Sequence, residues 1–140
     1  MTINTGEGAS DQDVSQPSDR PLILVVEDVP VIHDVIELSL RALKAEYEFL
    51  GDGNAALEWL KQTIPDLVLL DLALPGTDGR EILRQIRSSD RLTDVPVIVI
   101  TAQGPGIEQE VLDLGASAYL DKPFLPSTLR AMANELLGVD

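Results

Sequence analysis

Four apolar segments of this chain stop on residues that carry chemistry. "LILVV" (22–26) ends in Glu27 and Asp28, "LVLL" (67–70) in Asp71, "VPVIVI" (95–100) in Thr101, and "AYL" (118–120) in Asp121, Lys122 and Pro123. A carboxylate directly after a greasy run is costly to bury unless something satisfies it. Asp71 therefore either marks a strand end that reaches solvent or is there for its charge. Every strand stops where polar residues begin, so one such ending says little; four endings with complementary groups say more. If Glu27, Asp28 and Asp71 converge, each pair at about 4 Å repels by about 4 kcal/mol at an effective dielectric of about 20. Three pairs reach on the order of 10 kcal/mol, comparable to the stability of a whole domain. Such a cluster needs a proton or a cation. Lys122 offers one positive charge. A Mg²⁺ ion held by a few carboxylates and waters offers more, and takes a phosphate as a further ligand. A carboxylate is itself a competent phosphoryl acceptor, and Thr101 and Lys122 are suited to hold phosphoryl oxygens by hydrogen bond and by charge.

The elements that must position these groups follow from the hydrophobic pattern. The runs 22–26, 67–70 and 95–100 are near-continuous and rich in Val, Ile and Leu, the pattern of parallel strands covered on both faces. Residues 47–50 and 118–120 are weaker strand candidates. Helical patterns lie between them. Residues 30–44 open with Pro30 and put Ile32, Val35, Ile36, Leu40 and Leu43 on one face. Helices are also predicted over 54–62, 79–88, 107–114 (stopped by Gly115) and 126–137. Strand and helix alternate five times, which gives an open α/β sheet. In such a sheet all the strand ends named above share one edge, where ligands bind at a topological switch point.

Composition narrows the function further. The chain has 140 residues and a formal net charge of −14, which disfavours nucleic acid and anionic membranes as partners. It has no cysteine, which excludes disulfides and thiolate chemistry and fits a reducing compartment. No apolar stretch nears the roughly 18–20 residues of a membrane span, and the first residues lack a signal-peptide pattern. A cytoplasmic protein is expected. Residues 1–20 are polar and rich in Gly, Ser, Asp and Gln; a disordered N-terminal arm is expected there, followed by one domain over 21–140.

The motifs, taken together, resemble the receiver domain of two-component response regulators, the single-domain chemotaxis receiver being the simplest case. The matching stretches are "VVED" with Glu27 and Asp28, "LLDLALPGTDG" with Asp71, "VIVITA" with Thr101 and Ala102, and "GASAYLDKPF" with Tyr119, Lys122 and Pro123; "GDGNAALEWL" fits the family's second turn and helix. The resemblance covers residues 21–138. It implies a flavodoxin-like, doubly wound sheet of five parallel strands in the order 2-1-3-4-5 with five helices. It implies that Asp71 accepts a phosphoryl group from a sensor histidine kinase or a histidine phosphotransfer protein. Mg²⁺ (or Mn²⁺) would be held by Asp28, Asp71 and the backbone carbonyl of Ala73, with Glu27 acting through water. Lys122, through a cis peptide to Pro123, Thr101 and Ala102 would bind the phosphoryl group. Thr101 and Tyr119 would then switch the surface offered to a downstream protein target. A homodimer through the fourth helix, fifth strand and fifth helix is the family's frequent assembly. Glu27 stands where Asp is commoner, and Ala73 and Gln103 occupy positions that tune the attacking water. The stretch from Thr101 to Lys122 is about one residue shorter than usual, so the fourth helix is expected to start late or be short.

Other readings weigh less. An Asp-nucleophile hydrolase of the haloacid-dehalogenase kind has a second Asp two residues after the first, where Ala73 stands. No "GxxxxGK[ST]" is present for nucleotide hydrolysis. A docking module that is never phosphorylated would lack an acid, the Thr or the Lys, and all are here. His33, the sole histidine, stands beside Asp34 and four residues before Glu37, and is placed on an exposed face rather than read as a phosphohistidine. Trp59 is read as packing. With the chain ending just after the fifth helix, a stand-alone signalling domain is expected, not a turnover enzyme.

Overall fold

The computed structural model describes residues 20–139. The arm expected over 1–20 lies, but for Arg20, outside the described residues. Strands and helices alternate as β1 (Leu22–Val26), α1 (Pro30–Ser39), β2 (Glu46–Leu50), α2 (Gly53–Gln62), β3 (Leu67–Leu70), α3 (Gly79–Ser88), β4 (Val97–Thr101), α4 (Ile107–Asp113), β5 (Ala118–Asp121) and α5 (Pro126–Leu137). All neighbouring strands are parallel, in the order β2-β1-β3-β4-β5. This is the flavodoxin-like topology that the resemblance implies.

Successive side chains of a strand point to opposite faces, so continuous apolar strands feed two cores at once. Leu24, Val26, Val68, Leu70 and Val99 pack against Ala56 and Leu60 of α2, Ile82 and Ile86 of α3 and Val111 of α4, with half-buried Trp59 at the border. Ile23, Val25, Leu67, Leu69 and Ile98 pack against Ile36 and Leu40 after β1 and Leu129 and Ala133 of α5. Each fully buried Leu or Ile contributes about 1.5–3 kcal/mol relative to exposure.

The helix expected over 30–44 and the strand expected over 95–100 differ by two residues or more at an end, the other elements by one residue at most, and the fourth helix is short, as expected. The helix predicted over 30–44 stops at Ser39. Residues Arg41–Leu43 form a separate 3₁₀ turn that closes on Lys44, with φ of +53°. Leu40 still reaches the core and is 0 % exposed, so the apolar spacing marked burial correctly, but the chain must turn there to enter β2. The strand predicted over 95–100 spans Val97–Thr101. Pro96 has no N–H to give the ladder, whereas the Thr101 carbonyl accepts from the Lys122 N–H at 3.0 Å. α4 has only 7 residues; it is entered through Gly104 and Gly106, with φ of +94° and +89°. Among the described residues no helix is long and apolar enough to cross a membrane.

The crossover from β1 runs to β2 on one side and the next to β3 on the other, so the switch point lies between β1 and β3. Val26 pairs with Leu70, and the Asp71 N–H donates to the Val26 carbonyl at 2.9 Å. Glu27 and Asp71 therefore leave the sheet side by side.

Candidate functional site

The strand ends build a compact ionic cluster. Glu27 is 2 % exposed, Asp71 6 % and Thr101 1 %, while Asp28 is exposed. The Lys122 Nζ lies 2.6 Å from Glu27 Oε1 and 3.0 Å from Asp71 Oδ2. Glu27, Asp28 and Asp71 each offer a carboxylate oxygen, and these atoms all lie within 4.8 Å of one another. Burial disfavours the charged Lys122, but its hydrogen bonds to Glu27 and Asp71 and their charges outweigh that, so its pKa is raised. Glu27 Oε2 accepts from the Val29 N–H at 3.1 Å and Asp71 Oδ1 from the Ala73 N–H at 3.3 Å. The Lys122–Pro123 peptide is cis. Ala73 and Ala102 are exposed at the rim. Three carboxylates against one ammonium leave the cluster net negative, and an all-oxygen donor set of this charge fits a hard divalent cation.

Tyr119 faces away from this cluster. Its hydroxyl donates to Asp121 Oδ1 at 2.7 Å, two residues along the same face of β5. Burial, then the Asp121 hydrogen bond, then the charges of Asp121 and Glu108, push its phenol up to about 12. The neutral form is the one the fold favours, so the stabilisation is complete below the ordinary value near 10 and is lost as pH rises from there toward 12. In an alkaline absorbance titration, Tyr119 is expected to ionise well above the ordinary range, and Asp121→Ala is expected to bring it down. Tyr47, the other tyrosine, is raised by its own burial and by Glu37, and is expected to titrate unchanged in the variant.

Three features escaped the sequence. His33 is not on an exposed face: it is half-buried, its Nε2 lies 2.5 Å from the Glu27 carbonyl oxygen, and its ring sits 4.7 Å from that of Phe49. The Phe49 ring that draws it in comes from β2, which sequence spacing alone does not place beside α1. Gly79 allows the start of α3 to lie directly on the loop that follows β3: a Cβ there would fall 2.4 Å from the Asp71 carbonyl oxygen and 2.7 Å from Leu72 Cα. The second glycine of "PGTDG" was the available signal. Arg80, the next residue, donates to Glu110 Oε2 at 2.6 Å and to Gln103 Oε1 at 2.9 Å, tying α3 to α4 and to the loop after Thr101.

Residues 23–134 match the family model described as the response regulator receiver domain. The chain belongs to the response regulator receiver domain family. This receiver domain is 38 % identical over 118 residues to the transcriptional regulatory protein BaeR of Escherichia coli, an alignment covering 84 % of this chain and 48 % of that one. The chain spans about half the length of the curated relatives it matches. In structure it is similar to the receiver domain of the sensor histidine kinase PA1611 of Pseudomonas aeruginosa PAO1, which has magnesium coordinated in its active-site cleft. The TM-score is 0.77, with 34 % identity, over 85 % of this chain and 98 % of that one. It is also similar to the Mn²⁺-bound form of the response regulator Rcp1, at a TM-score of 0.69 and 31 % identity, over 84 % and 90 % of the two chains. Receiver domains are signalling domains that interact with histidine kinases or phosphotransfer proteins.

Proposed function

We propose that residues 21–140 form a phosphorylatable receiver in which Asp71 accepts a phosphoryl group from a phosphohistidine of a sensor kinase or phosphotransfer protein. An Asp71 carboxylate oxygen attacks phosphorus, and the P–N bond breaks. The departing imidazole keeps the electron pair and takes a proton from solvent on its other ring nitrogen. Attack of water on phosphorus later returns Asp71 and inorganic phosphate. The observation that carries this reading is the Lys122 ammonium bridging two buried carboxylates at the switch point of the sheet.

Glu27, Asp28, Asp71 and the backbone carbonyl of Ala73 would hold Mg²⁺ (or Mn²⁺). The ion, when bound, supplies positive charge against the phosphoryl oxygens. Lys122 leaves its bond to Asp71 for the phosphoryl group and keeps Glu27. Thr101 and the Ala102 backbone bind further phosphoryl oxygens. As Thr101 moves, Tyr119 exchanges its Asp121 bond for an inward position, which changes the face of α4, β5 and α5. That face is offered to a protein target or to a second copy of the chain. The domain acts in the cytoplasm, and the net charge of −14 on the whole chain argues against contact with nucleic acid by this domain itself.

Intact mass after incubation with acetyl phosphate tests the chemistry. One added phosphoryl group is expected with Mg²⁺ and none with EDTA. A chain that binds Mg²⁺ yet gains nothing returns the docking-module reading.

A further inference from the structure

We propose that His33 is a positioning residue for the metal-binding acids, fixing the peptide between Glu27 and Asp28 from the first turns of α1. This rests on the metal reading above. A carbonyl oxygen only accepts, so the 2.5 Å contact requires that Nε2 carry the hydrogen and donate to the Glu27 oxygen. That oxygen is the first carbonyl beyond the end of β1, on a residue whose own N–H makes the last bond to β2, to the Leu50 carbonyl at 3.0 Å. The turn has few other restraints: Val29, the residue before α1, makes no side-chain cap, and Pro30 brings no N–H. Glu27 anchors it: its N–H donates to the Leu50 carbonyl, and its carboxylate meets Lys122. Its carboxylate accepts from the Val29 N–H, and its carbonyl accepts from His33. The imidazole is itself held in place, its ring 4.7 Å from that of Phe49 and tilted by 34°. β2 thus orients His33, His33 orients the Glu27 carbonyl, and the following Cα carries the exposed carboxylate of Asp28. A supporting group one step behind a ligand is worth about 10- to 100-fold in metal affinity.

The test is Mg²⁺ binding to the unphosphorylated full chain by calorimetry, with a thermal melt of each protein. His33→Phe keeps a ring against Phe49 and removes the donor; it is expected to bind Mg²⁺ about 10-fold or more weakly. His33→Gln keeps an N–H donor without the ring, and is expected to bind more tightly than His33→Phe even where its melt is lower. A purely structural role predicts the reverse, with affinity following the melting temperature. His33→Phe binding within about 2-fold of the parent overturns the inference. If His33→Phe does not fold, His33→Gln decides: affinity lost in step with its melting temperature overturns the inference. If the parent itself binds no Mg²⁺, the metal reading fails and this inference with it.

Discussion

Asp71→Asn is expected to gain no phosphoryl group from acetyl phosphate and Mg²⁺ while folding as the parent does. The carboxamide is close in size and can still accept from the Ala73 N–H, so the turn after β3 keeps its local bond. What it loses is the anionic oxygen that must attack phosphorus, and no general base in the cluster turns an amide into a nucleophile. The expected fall in uptake is at least about 1,000-fold, the scale on which removal of a covalent nucleophile is felt. The charge change also lightens the cluster. With Asp71 neutral, Lys122 faces Glu27 alone at 2.6 Å and one source of repulsion is gone. Stability in EDTA is therefore expected to hold or rise. Uptake that survives in Asp71→Asn would assign the phosphoryl group to another acceptor, and His33 is the first to test.

Removing Lys122 has the second large effect, on stability and not only on uptake. Lys122→Ala leaves Glu27 and Asp71, with side chains 3 % and 7 % exposed, facing each other and Asp28 without an ammonium between them. Breaking a buried pair by deleting one partner costs about 3–5 kcal/mol. The strand ends open toward solvent and a carboxylate can take up a proton, so about 2–3 kcal/mol is expected at neutral pH in EDTA. Excess Mg²⁺ at about 100 times its dissociation constant stabilises the folded state by about 2.7 kcal/mol. The urea midpoint of the variant is accordingly expected to recover most of the difference when Mg²⁺ replaces EDTA. Equal midpoints for the two proteins in EDTA would mean that the ammonium does not neutralise the cluster.

The ionic site was legible because each of its members closes an apolar run. Glu27, Asp28, Asp71, Thr101 and Lys122 could be assigned to strand ends from the sequence, and parallel strands bring such ends to one edge whatever the details of packing. The continuous runs Leu22–Val26 and Leu67–Leu70 likewise announced strands covered on both faces, and the two cores of the sheet are what they cover. Element ends were less legible. Nothing in residues 30–44 marks a stop at Ser39, because the turn there is imposed by where β2 must lie.

His33 shows most plainly what sequence spacing cannot supply. Beside Asp34 and near Glu37 it has the signature of a solvated face, yet Phe49, 16 positions later on β2, draws its ring inward and leaves its nitrogen on the Glu27 carbonyl. The Tyr119 bond to Asp121, the Arg80 link to Glu110 and the close approach of Gly79 to the Asp71 backbone are of the same kind. The sequence by itself determined the class of fold, the order of the acids, hydroxyl and ammonium along it, and hence the chemistry open to them. Only the tertiary structure decided which neighbours orient those groups, because orientation depends on side chains that meet from elements distant in the chain, and periodicity carries no record of those meetings.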